Sequence, residues 1–336
     1  YKSLKTSLQA YTNDSKNTSS KERLCEYKNG QDYYKFLLMS NVGTDFSPED
    51  CITILEAQLK NTVKDISSLT AKNKDLYTEY LSAIPALSAP KEIMNTLKND
   101  SLVEFPEIKN ISCQLKNVPD ALSGTSACAF YLVPPIDSTK DNIIYINKSR
   151  VDSNELFSTL AHEGYPGHLY QTIFFGNTGP SDIRYLVTSS GYIEGWATYI
   201  ESYGYQYAAS YLDDNDASDY VCLAWLNRSI NLCIYSLLDI GIHYYGWSQD
   251  EAARLLKLFG ITNTNAISEI YQYIVETPAN YLKYYIGYLK FYELKKEMAD
   301  ALGNQFSQKE FHRAVLDVGP APFEIVYDEV EKNLLD

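Results

Sequence analysis

Six positions separate His162 from His168, and Pro166 and Gly167 lie between them. The surrounding pattern is helical, so this step constrains the fold more than any other. At about 100° per residue, a straight helix turns roughly 240° over six residues and puts the two rings on different faces. Proline removes an amide donor and clashes with the carbonyl four residues back, here that of His162. Glycine tolerates whatever dihedral follows. The spacing therefore predicts a helix interrupted by a bulge of about two extra residues, which returns His168 to the side of His162. The alternative is one structural histidine near a helix end and one unrelated surface histidine.

The segment uses two of the chain's four histidines and places Glu163 directly after the first. Imidazoles and carboxylates are zinc ligands, and a catalytic zinc site keeps one position open for water. Glu163 is the candidate base acting on that water. The common metalloprotease motif has histidines at i and i+4, so the spacing here is irregular. Glu194 and Glu201 are seven apart on one predicted helix and share a face. Glu194 follows His168 by 26 residues, a separation typical of the glutamate-zincin arrangement, and is the preferred third ligand for a single zinc ion. Glu201 is either a carboxylate that holds a ligand ring in place or a solvated residue.

The other histidines are His243 and His312. Asp239 lies four residues before His243, within reach to orient its ring. An imidazole or phenol near a metal steadies the oxyanion of a tetrahedral intermediate, which makes His243, Tyr284 and Tyr285 candidates. For His243 and His312 the competing reading is a satisfied core histidine. With thirty tyrosines in the chain, packing competes with catalysis at any one of them.

The net charge of −14 argues against nucleic acid and against anionic membrane surfaces, which need a basic patch. It suits neutral or cationic substrates. No apolar run approaches the roughly 18 residues of a membrane span. The chain starts at Tyr1 rather than Met, so a removed targeting segment and an exported bacterial protein are expected, with a cytoplasmic location as the alternative. The tyrosine-, asparagine- and lysine-rich composition fits a low-GC bacterium. Six cysteines without a Cys-x-x-Cys pair argue against a cysteine zinc site. Cys25–Cys51 and Cys113–Cys128 are candidate bridges. Cys222 and Cys233 are about 16 Å apart along a continuous helix, too far to join.

At 336 residues the chain suffices for one large domain or two modest ones. Residues 1–46 read as loop and short helix. Ser47-Pro48-Glu49-Asp50 starts a helix with apolar spacing through Ile66, and another lies near 88–98. Between 100 and 147 the pattern alternates, predicting strands at 103–105, 111–115, 128–133 and 143–146, the last two joined by a turn at 134–138. Helices are expected near 153–173, 189–211, 216–243, 248–260, 265–276, 278–302, 307–318 and 322–334. Capping boxes at Ser248–Glu251 and Ser307–Glu310, and glycines 303 and 319, mark starts and ends. A boundary near 100 divides an N-terminal helical portion (1–100) from a catalytic helical domain (101–336).

His162-Glu-Gly-Tyr-Pro-Gly-His168-Leu-Tyr-Gln171 resembles the His-Glu-x-x-Pro-Gly-His-x-x-Gln signature of the bacterial domain-of-unknown-function family 885. Glu194-Gly-Trp-Ala-Thr-Tyr and Asp239-Ile-Gly-Ile-His243 resemble further blocks of that family, as do Tyr284-Tyr-Ile-Gly287, Leu302-Gly303 and Phe311 to Gly319. The blocks span roughly residues 125–325 in the expected order and include all four histidines. The resemblance adds Gln171 and His312 as supporting or substrate-binding residues. It implies a mainly α, multi-helical, zincin-like metallopeptidase fold, distantly similar to thimet oligopeptidase, carboxypeptidase Taq and angiotensin-converting enzyme. Such a fold has a small antiparallel sheet beside the metal helix and a cleft between helical halves. Family members are usually longer at the N-terminus, so one cleft wall is expected to be shortened. The family's arginine four residues before Asp239 is replaced by Tyr235, with Arg228 further back.

The expected activity is zinc-dependent hydrolysis of short peptides. The alternatives are a catalytically inactive binder of peptides or cell-wall fragments on the same fold, and a zinc hydrolase of another amide or ester bond.

Overall fold

The computed structural model describes residues 22–82, 87–109, 111–136, 140–152, 155–212 and 215–335. Residues 1–21 and the end of the 134–138 turn lie outside them. Before the sheet come α1 (Gly30–Leu37), α2 (Pro48–Lys72), α3 (Leu76–Ser82) and α4 (Pro90–Asp100). After it come α5 (Leu156–Glu163), α6 (His168–Asn177), α7 (Ser190–Ala209), α8 (Ala217–His243), α9 (Gln249–Leu258), α10 (Thr264–Glu276), α11 (Asn280–Leu302), α12 (Gln308–Val318) and α13 (Phe323–Leu335).

The caps act where the residue types place them. Ser47 Oγ accepts from Asp50 N–H at 3.1 Å, and Asp50 Oδ2 accepts from Ser47 N–H at 3.0 Å. Such a cap stabilises a helix by about 1 kcal/mol. Ser248 and Glu251 close the same box. At α12 only half of it forms, with Ser307 Oγ accepting from Glu310 N–H. Gly303 and Gly319 take positive φ at the ends of α11 and α12.

The sheet is mixed, where an antiparallel one was expected. Its order is β1 (Cys113–Asn117), β3 (Asn142–Ile146), β2 (Ala129–Leu132). β2 runs antiparallel to β3, while β1 runs parallel to it. The chain reverses into β2 and again into β3, so β3 regains the direction of β1 and occupies the centre. Residues 103–105 are not a strand. Ser101–Val103 form a helical turn continuing α4, with Val103 exposed and Phe105 buried in the core. An exposed–buried alternation over three residues does not distinguish a tight turn from a strand.

All six cysteines are free. Cys113 and Cys128 belong to opposite edges of the sheet, two strand spacings or roughly 10 Å apart, which excludes the expected bridge. Cys51 is buried on α2, and Cys25 Sγ faces the Ile242 carbonyl.

The main core extends from Tyr34 to Val330 and draws residues from both sides of position 100. A second cluster joins the C-terminal half of α8 to α9 and α10. α8 is long enough to span a membrane and its most apolar 18-residue window has a mean hydropathy of 1.3, although polar residues interrupt it throughout. It is nevertheless a core helix, packed on α2, α7 and α11 and carrying fully buried Asp239.

α7 and α11 form the central pair. A Cβ on Gly195 would come within 2.5 Å of the Gly287 carbonyl carbon, and one on Gly287 within 2.3 Å of the Gly191 oxygen. The two backbones therefore touch. This contact brings Glu194 of α7 beside Lys283 and Tyr284 of α11.

Candidate metal centre

The bulge between the histidines has the predicted size. Gly167 N–H donates to Ala161 O (3.0 Å) and Tyr170 N–H to Gly164 O (3.2 Å). Each bond spans six residues where an α-helix spans four, so two extra residues are absorbed. A Cβ on Gly167 would lie 1.8 Å from the His162 carbonyl oxygen, so the approach requires glycine. Trp196, fully buried on α7, donates from Nε1 to Pro166 O at 2.9 Å. Burial of such a ring contributes about 3 kcal/mol and the hydrogen bond about 1 kcal/mol, which pins the bulge to α7.

The two rings consequently meet, with centroids 4.6 Å apart at 88°. His162, Glu163 and His168 each place one donor atom within 4.8 Å of the others. Glu194 Oε2 lies 3.4 Å from His168 Nε2 and 3.9 Å from His162 Nε2. Zinc bonds of about 2.0–2.1 Å in a tetrahedron put neighbouring donors about 3.3–3.4 Å apart. The His168–Glu194 separation matches that spacing, and the His162–Glu194 separation exceeds it by about half an ångström, within reach of a small side-chain rotation.

Glu163 is held differently. Its Oε2 accepts from Tyr131 N–H of β2 at 2.7 Å, and its Oε1 lies 4.0 Å from His162 Nε2. One oxygen is anchored to the sheet and the other faces the ring nitrogens.

Behind His162, Nδ1 lies 2.7 Å from Glu201 Oε1. Arg228 binds that carboxylate in turn, through Nε at 2.7 Å and Nη2 at 3.1 Å. Burial alone would raise the Glu201 carboxyl, but the Arg228 charge and the His162 contact hold it at about 2. Burial likewise opposes ionisation of Glu194, and its contact with His168, aided by His162 and Lys283, outweighs that and lowers it to about 2. Burial would depress His162, yet the bond to Glu201 and the charges of Glu201, Glu163 and Glu194 raise it to about 9. Three carboxylates face Arg228, Lys283 and a His162 ring that they hold in its charged form, so a dication can take the place of the His162 proton. That is the environment a dication suits.

A cavity of about 380 Å³ opens beside this cluster. Residues 127–129 line it on the β2 side, with Arg228, Asn231, Tyr281 and Tyr284 among the helical residues opposite.

The chain matches a family described as bacterial protein of unknown function (DUF885) over residues 1–330. It belongs to that family. No curated protein sequence matches it. Its fold is similar to that of "the putative lipoprotein from Colwellia psychrerythraea", with a TM-score of 0.79 at 19% identity over 93% of this chain. It is also similar to "a putative lipoprotein of unknown function from Shewanella oneidensis", with a TM-score of 0.73 at 16% identity over 96% of this chain. The chain spans 57% and 63% of those two proteins, respectively.

Of the blocks that carry the DUF885 resemblance, the structure brings only some together. His162, Glu163, His168, Glu194, Glu201 and Tyr284 converge. His243 does not join them. It is fully buried, with Nδ1 accepting from Leu24 N–H and Nε2 facing Ile274 O. Nor does Asp239 orient it, because Asp239 Oδ1 accepts from Tyr34 OH and Ala279 N–H. Four residues on a helix bring two side chains near each other, but each here found a main-chain or phenol partner from another element. His312 is also a core residue, between the Tyr199 hydroxyl and Glu104 O, and burial lowers it to about 3. Tyr285 bonds Ser229 on the core side of α11. Gln171 is buried, and its Nε2 has no partner among the described residues.

Two contributors escaped the sequence reading. Lys283 Nζ lies 3.7 Å from Glu194 Oε1, and the Tyr131 amide holds Glu163. Lys283 adjoins Tyr284, so helical proximity was the available signal. A main-chain donor leaves no signature in residue identity.

Proposed function

We propose that this chain binds one zinc ion through His162, His168 and Glu194 and hydrolyses short peptides, on a zincin-like helical fold. The observation that carries the reading is that Glu194 Oε2 lies 3.4 Å and 3.9 Å from the Nε2 atoms of His168 and His162, whose rings meet at 4.6 Å between centroids, with Glu163 alongside. Zinc bound there would supply a Lewis acid for the scissile carbonyl and would acidify water. Glu163, its carboxylate aimed by the Tyr131 amide, would serve as the base for the attacking water. Tyr284 stays protonated, because burial and the Glu194 charge push its phenol up. It donates a hydrogen bond to the carbonyl oxygen as negative charge develops. Glu201 and Arg228 fix the His162 ring. The outer edge of β2 offers main-chain groups to an extended peptide, and a cavity of about 380 Å³ suits a few residues rather than a folded protein. The naming of both solved relatives as putative lipoproteins supports a place at the bacterial cell surface.

Elemental analysis is expected to find zinc near one equivalent. Glu163→Gln retains the metal and loses at least about a hundredfold in turnover. Full activity in Glu163→Gln, or no zinc at saturation, removes the proposal. A panel of peptides, esters and acylated amino acids assigns the bond; activity confined to esters replaces peptides as substrates.

A further inference from the structure

A second concavity, of about 590 Å³, runs between α4 and β1, along the sheet edge opposite β2. That volume lies within the range of about 300–1,000 Å³ typical of small-molecule sites. Its floor is apolar, formed by Met94, Ile111, Cys113, Leu115 and Tyr165. Lys91, Lys98 and Lys148 surround this floor, and no Asp or Glu lines it among the described residues. Lys91 and Lys148 are exposed, and the Lys98 ammonium lies 5.9 Å from the Tyr165 ring centroid. None of the three forms an ion pair with a described residue. In a chain with 43 acidic and 29 basic residues, this is a local island of uncompensated positive charge. The Tyr165 hydroxyl is also buried, with no partner among the described residues. The floor rests on the histidine loop: a Cβ on Gly164 would lie 2.5 Å from Met94 Sδ.

We propose that this groove binds a small amphiphilic carboxylate, its apolar chain on the floor and its carboxylate among the three lysines. An apolar trough attracts any hydrophobe. The ring of ammoniums without acids selects an anion over an alcohol or an amine. Neither zinc nor peptide hydrolysis is needed for this binding.

Decanoate is the probe, titrated calorimetrically into the full chain. Decanoate is expected to bind, with decanol and the Lys91→Met/Lys98→Met variant each about tenfold weaker, the equivalent of losing a few partly screened charge contacts. Alkylation read by mass spectrometry locates the site. Cys113 lies in the groove and Cys128 in the cavity beside the histidines. Decanoate should protect Cys113 and leave Cys128 reactive. The reaction is run near pH 9, since burial pushes the Cys113 thiol up to about 11. Absent binding, equal affinity for decanol, an unaffected lysine variant, or protection of Cys128 alone each overturns the proposal. Should the double variant fail to fold, exposed Lys148→Met makes the same comparison.

Discussion

His162 Nδ1 and Glu201 Oε1 stand 2.7 Å apart, on two helices whose sequences place them 39 residues from each other. With the ring neutral, the proton sits on Nδ1 and the Nε2 lone pair faces His168 and Glu194. Arg228 clasps the same carboxylate, so the ring is oriented from a point well behind the donor set.

Glu201→Gln keeps an oxygen for Nδ1–H but loses the charge and leaves Arg228 without its counter-ion. Zinc affinity is expected to fall by about 10–100-fold, the usual effect of removing a partner that orients a ligand. Competition against a chromogenic chelator measures it. An unchanged affinity would show that Glu201 only packs.

Gly167→Ala tests the bulge. The added methyl group meets the His162 carbonyl at 1.8 Å, and backbone cannot yield as a side-chain tip does. The step must reopen, at a cost of about 2–4 kcal/mol, comparable to other strained-backbone substitutions. Urea unfolding is expected to show that loss, and chelator competition a loss of metal at equal folded protein. Native stability in this variant would place the bulge wrongly.

Lys283→Met is expected to act in two directions. The ammonium, 3.7 Å from Glu194 Oε1, competes with a dication for that carboxylate. Its removal should tighten zinc several-fold, since a like charge near a partly exposed site is worth about 1 kcal/mol. The same removal leaves Glu194 more basic in the metal-free protein. If zinc binds more weakly to Lys283→Met, the lysine supports the site instead of opposing the ion.

The two-residue bulge was legible because proline, glycine and helical geometry leave few ways to align rings six positions apart. The long helices and their caps were legible for the same local reason. β1's direction depended on where β3 sat in the sheet, a non-local choice that strand patterning does not encode. His243 and His312 show the other limit. Each lies in a block that resembles the family, yet each ring is spent on core hydrogen bonds with residues 31–219 positions away. Residue type and family block locate a histidine without revealing which partner it meets.

Asp239 gives the test of pH dependence. Burial raises its carboxyl from the ordinary 3.8 to about 7, against hydrogen bonds from Tyr34 and the Ala279 and Asn280 amides. Its Oδ2 has no partner among the described residues. The folded chain thus retains a proton that the unfolded chain releases. This contribution to stability is fully present below about pH 4 and is lost as pH rises to about 7, with no further change above. Asparagine stays neutral throughout and still accepts from Tyr34 and Ala279. The stability of Asp239→Asn relative to the parent should therefore rise between pH 5 and 8, by on the order of 1–3 kcal/mol. Urea melts at four pH values measure the gap. A gap that stays flat or shrinks across this range would mean that Asp239 ionises freely in the fold. It would then not be the buried, proton-retaining anchor at the start of the helix that carries Lys283 and Tyr284.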